Sequence, residues 1–333
     1  LISVRLVSHD SRQRLDKSLF LRRFTQALAL RERLFNEPFY RLVHSEADGL
    51  PGLVVDRFDE HLVVQCTTAG MERLKNDVVV ALQELLQPKS ILLRNDSEIR
   101  VLEGLERYVE SIGDVPQCVR LQENGVQFSV PLQGGQKTGW YYDQRDNRAS
   151  LWRYVNGKKV LDLFSYLGAW GVQAAALGAE KVLCVDSSHA ALEGAGRNAA
   201  LNNVEARVET CHGDVFEVLR ALGREKRQFD VVILDPPAFI KRRKDHKKGT
   251  EAYQRLNRLA LRVLSEDGIL VSASCSFHLS PEQLQNIVLQ SSRRERRSLQ
   301  ILERGFQAAD HPVHPAIPET AYLKALFCRV LQE

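Results

Sequence analysis

From residue 158 onward, short apolar runs alternate with stretches of helical periodicity, and this alternation constrains the chain more than any other feature. The runs are KKVLDLF (158–164), KVLCVD (181–186), ARVETC (206–211), FDVVILD (229–235) and GILVSAS (268–274). Between and after them, residues 169–178, 188–202, 214–225, 250–265 and 280–296 read as helices. Strands separated by helices of this length imply βαβ units, and such units build a mainly parallel sheet covered on both faces. The segments 298–306 and 321–330 are expected to complete that sheet.

The upstream half has another rhythm. Residues 16–33 carry Leu19, Phe20, Phe24, Ala27 and Leu28 at helical spacing. Residues 39–67 alternate apolar and polar positions around Asp48-Gly49, Pro51-Gly52 and Asp59-Glu60, which predicts a meander of strands. Residues 70–87 form an amphipathic helix with Met71, Leu74, Val78, Leu82 and Leu85 on one face. KSILLR (89–94) and residues 105–112 read as two more strands, giving a small ββαββ module. Residues 118–131 look like a hairpin about Asn124-Gly125.

A length of 333 residues suits about two domains. No run of 18 apolar residues appears, so a membrane span is not expected. The opening LISVRLVSHDSRQR lacks the apolar stretch of a signal peptide, and it lacks an initiating Met, so a piece of a longer protein is expected. The six cysteines are scattered without a C-x-x-C pair, which argues against a zinc site and a disulfide framework and for a reduced, cytoplasmic protein. Net charge is only +4, yet basic residues cluster in KRRKDHKK (241–248), in RRERR (293–297) and in residues 1–33. Each run alone reads as a solvated face; three together suggest phosphate contacts.

In an open parallel sheet, ligands bind beyond the carboxyl ends of the strands. Asp162 lies near the end of the first run, just before Gly168 and Gly171, which let the backbone approach a ligand closely. Asp186 ends the second run, where a carboxylate usually binds ribose hydroxyls. Asp214 follows the third and is placed to accept from an adenine amine. Asp also caps helices after strands, and Asp214 suits that role best. The turn departs from G-x-G-x-x-G, so S-adenosylmethionine (SAM) is favoured over a dinucleotide.

Asp235 ends the fourth run and Pro236 and Pro237 follow. Proline fixes φ and has no N–H, so the turn is stiff and offers carbonyls and a carboxylate to a flat base, on which Phe239 can stack. The plainer alternative is a capping Asp235 and a core Phe239. Cys275 follows the fifth run and is placed to face the same edge, although a small Cys ending an apolar strand is often core. Cys66, Cys184, Cys211 and Cys328 read as core, and Cys118 has no evident role. A thiol here suits pyrimidine carbon-5 methylation: Cys275 adds to carbon 6, carbon 5 becomes nucleophilic, and Asp235, protonated or sharing a proton, binds ring nitrogen 3.

The strings DLFSYLGAWG, VDSS, HGDVF and LDPPAF are similar to the motifs of class I SAM-dependent methyltransferases. With GGQKTGWYYDQRDNR (134–148), SCS and AADHPVHPAIPETAYLKALFCRV, nearly the whole chain resembles the bacterial large-subunit ribosomal RNA cytosine-carbon-5 methyltransferases. The resemblance implies an α/β fold: a Rossmann-like, mainly parallel seven-stranded sheet preceded by the small α+β ββαββ module. It also implies three regions: the end of a PUA RNA-binding domain and a linker helix (1–33), the central ββαββ domain (34–116), and the hairpin with the methyltransferase domain (117–333). Most of the PUA domain is expected to lie outside the chain.

By the same resemblance, Lys137, Thr138, Tyr141, Gln144 and Arg145 close over SAM, and Lys137 or Arg145 is the candidate to pair with its carboxylate. The motif strings add Asp162, Phe164, Tyr166, Gly168, Gly171, Asp186, Ser187, Asp214, Val215 and Asp235 as cofactor contacts. Pro236, Pro237, Phe239, Lys241, Arg242, Arg243 and Lys244 are the candidate contacts to RNA, and no metal is implied. The implied partner is 23S ribosomal RNA, with a homodimer as a candidate assembly and no membrane. Ala238, rather than a second cysteine, follows Pro237, so a single-thiol scheme is implied.

Two other readings compete. DPP followed by an aromatic resembles the motif of enzymes that methylate base amines or ring nitrogens of guanine or adenine, although Phe239 stands one residue late for it. A non-enzymatic RNA-binding protein would explain the basic runs but not the SAM motifs.

Overall fold

A computed structural model describes residues 4–8 and 10–332. The chain divides into two compact units: the first holds the residues up to Glu123 together with Ser129–Asp143 and Ala308–Thr320, the second Asn124–Phe128, Gln144–Gln307 and the residues from Ala321 on. The units therefore interleave along the sequence, unlike the three consecutive regions expected.

The first unit is built on a five-stranded sheet in the order β1 (Phe39–His44), β2 (Leu53–Phe58), β3 (His61–Cys66), β4 (Ser90–Asn95), β5 (Tyr108–Gly113). Neighbours are antiparallel except β3 and β4, which run parallel because the helical stretch 69–86 crosses between them. Three strands thus precede the crossover, one more than a ββαββ module carries; FYRLVH buries Tyr40, Leu42 and Val43 and makes the extra edge. The helix Lys17–Leu34 starts at Asp16, whose carboxylate accepts the Ser18 N–H at 3.0 Å. Its Phe20, Phe24 and Ala27 share one core with Leu42, Val55, Val64 and Leu93, so the expected linker helix packs on this sheet. Residues 4–8 and 10–16 form no strand; positions 1–3 and 9 of the expected PUA remnant lie outside the described residues.

Arg31 is fully buried and pairs with both oxygens of Asp48 at 2.7 Å, while donating to the Asp310 carbonyl at 2.9 Å. Asp310 in turn accepts the Arg41 backbone N–H at 2.9 Å. These bonds tie the late segment 308–320 to the β1 side of the first unit.

A hairpin of β6 (Cys118–Glu123) and β7 (Val126–Pro131) follows. Asn124 and Gly125 both have left-handed φ, +52° and +79°, as a two-residue hairpin turn requires.

The second unit carries seven strands: β8 (Lys159–Leu163), β9 (Lys181–Asp186), β10 (Val208–His212), β11 (Phe229–Leu234), β12 (Leu264–Ser274), β13 (Arg297–Phe306) and β14 (Lys324–Gln332). Their order is β10-β9-β8-β11-β12-β14-β13. The first five are parallel, and β14 runs antiparallel to both β12 and β13. The expected helices form at 169–176, 189–201, 215–224, 246–263 and 281–294. From β8 the chain winds outward through β9 to β10 and then returns to β11 beside β8. The two connections leave on opposite sides, so a crevice opens at the carboxyl ends of β8 and β11. Among the described residues, no helix is long and apolar enough to cross a membrane.

Candidate active site

The turn after β8 is tightly wound: Phe164, Tyr166 and Gly168 have φ of +63°, +49° and +75°. Left-handed backbone at two aromatic residues is strained and persists only where surrounding bonds hold it. Those bonds are present. The Ser165 N–H donates to the Val185 carbonyl at 3.1 Å, the Tyr166 N–H to Asp186 Oδ2 at 2.9 Å, and Asn198 Nδ2 to the Leu167 carbonyl at 3.0 Å. Gly171 could carry no side chain, because a Cβ there would meet Cys184 Sγ at 2.4 Å.

Asp162 is fully buried on β8, and its Oδ2 accepts the Gly171 N–H at 2.8 Å. Burial pushes its carboxyl up to about 7; the Gly171 N–H opposes the rise, and the charges of Asp235 and Asp186 add to it. Its Oδ1 and the Ser165 hydroxyl oxygen are buried with no hydrogen-bond partner. Buried polar atoms are rarely left this way, and both could take polar groups of a ligand. Asp186 ends β9, with Oδ2 on Tyr166 and Oδ1 accepting the Ser188 N–H at 2.9 Å; each oxygen keeps a further lone pair. Asp214 is exposed and caps the helix 215–224 by accepting the Glu217 N–H at 3.1 Å. Ser187 is exposed beside Asp186, and Val215 is buried in the core.

Asp235 follows β11 and is held from two sides. Gln144 Nε2 donates to Oδ1 at 2.9 Å and Trp170 Nε1 to Oδ2 at 3.0 Å. Gln144 is itself fixed, since its Oε1 accepts from Asn147 Nδ2 at 2.7 Å. N–H donors on both oxygens favour the charged form of this carboxylate. Pro236 is buried and Pro237 exposed. The thiol of Cys275, partly buried just after β12, lies 3.9 Å from the Pro236 carbonyl oxygen. Tyr253 reaches up from the helix 246–263, its hydroxyl 2.8 Å from Ser274 Oγ and 3.0 Å from Ser276 Oγ. Phe239 is partly buried, with its ring centroid 4.8 Å from Tyr253 and 6.3 Å from each of Phe164 and Phe216. Its ring is thus shared with the core.

Arg145 is buried in the second unit. Lys137, Thr138 and Tyr141 belong to the first. There Lys137 is exposed with Nζ 4.9 Å from the Tyr141 ring centroid, and Thr138 is buried with its hydroxyl oxygen unpartnered. Lys241, Arg242, Arg243 and Lys244 are all exposed on the loop before the helix 246–263. No group of three metal-ligating side chains occurs among the described residues. Sequence reasoning missed Trp170, Tyr253, Ser165 and Lys324 at this edge.

The chemistry of this edge fits SAM. Asp186 and Asp162 offer acceptors for ribose hydroxyls and an ammonium, and the wound turn brings backbone close. Fold and site together define a SAM-dependent methyltransferase of Rossmann-like α/β architecture, and residues 107–329 match the family described as S-adenosylmethionine-dependent methyltransferase. The chain is 40% identical to the ribosomal RNA large subunit methyltransferase I of Tolumonas auensis over 339 residues, covering 99% of this chain and 85% of that one. It is 38% identical to the protein of the same name in Aliivibrio fischeri, with the same coverage. A solved protein assigned as a methyltransferase, in complex with SAH, shares the fold at a TM-score of 0.85 and 23% identity, over 97% of this chain and 84% of that one. The chain belongs to the ribosomal RNA large subunit methyltransferase I family, and its cofactor is SAM.

Proposed function

We propose that the chain methylates carbon 5 of a cytosine in 23S ribosomal RNA through a covalent adduct on Cys275. One observation carries this reading: the Cys275 thiol lies 3.9 Å from the carbonyl oxygen of Pro236, the residue that follows Asp235. When bound, SAM supplies an electrophilic methyl group. Carbon 5 of a neutral cytosine is a weak nucleophile. Addition of Cys275 Sγ to carbon 6 places enamine density on carbon 5. As the thiolate adds, ring nitrogen 3 takes a proton from solvent, and a charged Asp235 accepts a hydrogen bond from that N–H and so stabilises the adduct. Once carbon 5 has taken the methyl group, its proton passes to water, the carbon 6–sulfur bond breaks to release the thiolate, and nitrogen 3 returns its proton to solvent. Asp162, Asp186 and the turn 164–168 hold the cofactor, and Lys241, Arg242, Arg243 and Lys244 contact RNA phosphates.

The test is RNA carrying 5-fluorocytidine at the target position. Fluorine cannot leave as a proton does, so the adduct should persist as a SAM-dependent protein–RNA band on a denaturing gel. Cys275→Ala should give no band and no turnover while still binding SAM. Methylation by Cys275→Ala at the normal rate would instead support methylation of a base amine, for which Asp235 alone suffices.

A further inference from the structure

Lys324 is a buried residue beside Cys275 in the sheet that the reaction above does not use. It opens β14 and pairs in the ladder with Ser274 of β12, the residue before Cys275. Its side chain turns inward and is only 5% exposed. Nζ donates to the carbonyl of Ser276 at 2.5 Å and to that of Tyr322 at 2.8 Å. The backbone of Lys324 thus grips the residue before Cys275, and its side chain grips the residue after it.

A buried ammonium normally has an anion beside it. Among the described residues no carboxylate pairs with Lys324; the ionisable group acting on it is the Cys275 thiol. Burial pushes the ammonium down to about 8, and Cys275 opposes that fall. Two carbonyl acceptors on Nζ also favour the protonated form, so the amine is poorly placed to serve as a base. Two further groups at this edge are engaged in hydrogen bonds. Tyr253, from the helix 246–263, is held up by burial and shares its hydroxyl with Ser274 and Ser276. Asp235, on the turn after β11, is bound by Gln144 and Trp170.

We propose that Lys324 is a positioning residue for methyl transfer, whose buried ammonium keeps Cys275 in the thiolate form and fixes the backbone around it. Cys275 releases its proton to solvent, and the resulting thiolate offsets the otherwise uncompensated charge of Lys324. The inference deepens the reading of Cys275 as nucleophile and rests on it for its purpose, but thiol ionisation is measurable without RNA.

The experiment is alkylation of the full chain with iodoacetamide across a pH series, with modification at Cys275 read by mass spectrometry. Cys118, exposed and free, serves as the internal reference. In the parent protein the Cys275 midpoint should lie below that of an ordinary thiol, about 8.5. Lys324→Met should raise it by about one unit or more, with roughly a tenfold slower reaction at neutral pH, while Cys118 is unchanged. Lys324→Arg should keep the low midpoint. A folded Lys324→Met protein with an unmoved midpoint would overturn the proposal. Should that variant fail to fold, the parent midpoint decides: a value at or above the ordinary one overturns it. A low, Lys324-dependent midpoint with no 5-fluorocytidine band would leave this inference standing and remove the covalent reaction.

Discussion

The indole N–H of Trp170 donates to Asp235 at 3.0 Å, joining the first helix after β8 to the turn after β11. The bond spans the point where the sheet reverses its winding, the place where such folds bind ligands. It fixes the carboxylate that faces the substrate edge in our reading, and it does so from a residue that the helical pattern alone assigns to packing.

Trp170→Phe should therefore keep the buried ring volume and remove the donor. Hydrogen bonds to charged groups contribute about 1.5–3 kcal/mol. Turnover on ribosomal RNA should fall about tenfold or more, with SAM affinity nearly retained. Methyl incorporation from labelled SAM measures this. Parent-like turnover would mean that Gln144 alone orients Asp235.

Asp186→Ala should weaken SAM binding by about 1–3 kcal/mol. The carboxylate both offers acceptors to a ribose and anchors the strained Tyr166 N–H, so two contributions disappear together. Isothermal titration with SAM reads the change, and unaltered affinity would detach Asp186 from the cofactor.

Asp162 makes the ligand-free protein sensitive to pH in an unusual direction. Its carboxyl is raised to about 7 in the fold from an ordinary value of 3.8, so the folded state holds the proton more tightly than the unfolded chain. Its contribution is fully present below the unfolded value and fades as pH climbs towards 7, a loss on the order of 4 kcal/mol. Asp162→Asn removes that dependence. Denaturant unfolding at pH about 5 and about 8 should show the variant gaining on the parent as pH rises, alongside weaker SAM binding. A constant difference between the two proteins would count against a raised Asp162.

Neutralising Lys241, Arg242, Arg243 and Lys244 together should lower RNA affinity and flatten its salt dependence, by up to roughly one unit of log–log slope for each phosphate no longer neutralised. SAM binding should be unaffected. An unchanged slope would return this loop to the role of a solvated face.

The seven-stranded sheet was legible because its signal is local: each strand is a short apolar run and each helix has its own period. The hairpin at Asn124-Gly125 was legible for the same reason. Asp162, Asp186, Asp235 and Cys275 could be placed because strand ends in a parallel sheet converge on one edge. What sequence reading missed depends on distant pairing. Lys324 stands in the apolar run AYLKALFCRV and has no local sign of function; its meaning comes from antiparallel register with β12, fifty residues earlier. Tyr253 looks like a core position of an amphipathic helix until Ser274 and Ser276 arrive beside it. The charge state of Asp235 likewise depends on donors from Gln144 and Trp170, neither close in sequence.

The segment 308–320, which leaves after β13, bonds to Arg31 and Arg41 of the first unit and returns as β14, has a consequence for how such a chain can be altered over time. No single crossover exchanges one unit for that of another protein, because a cut at residue 143 leaves the Asp310 acceptors with the wrong parent. Arg31 and the edge of β1 would then face an unmatched segment, so a replacement for the first unit has to bring its own segment 308–320 with it.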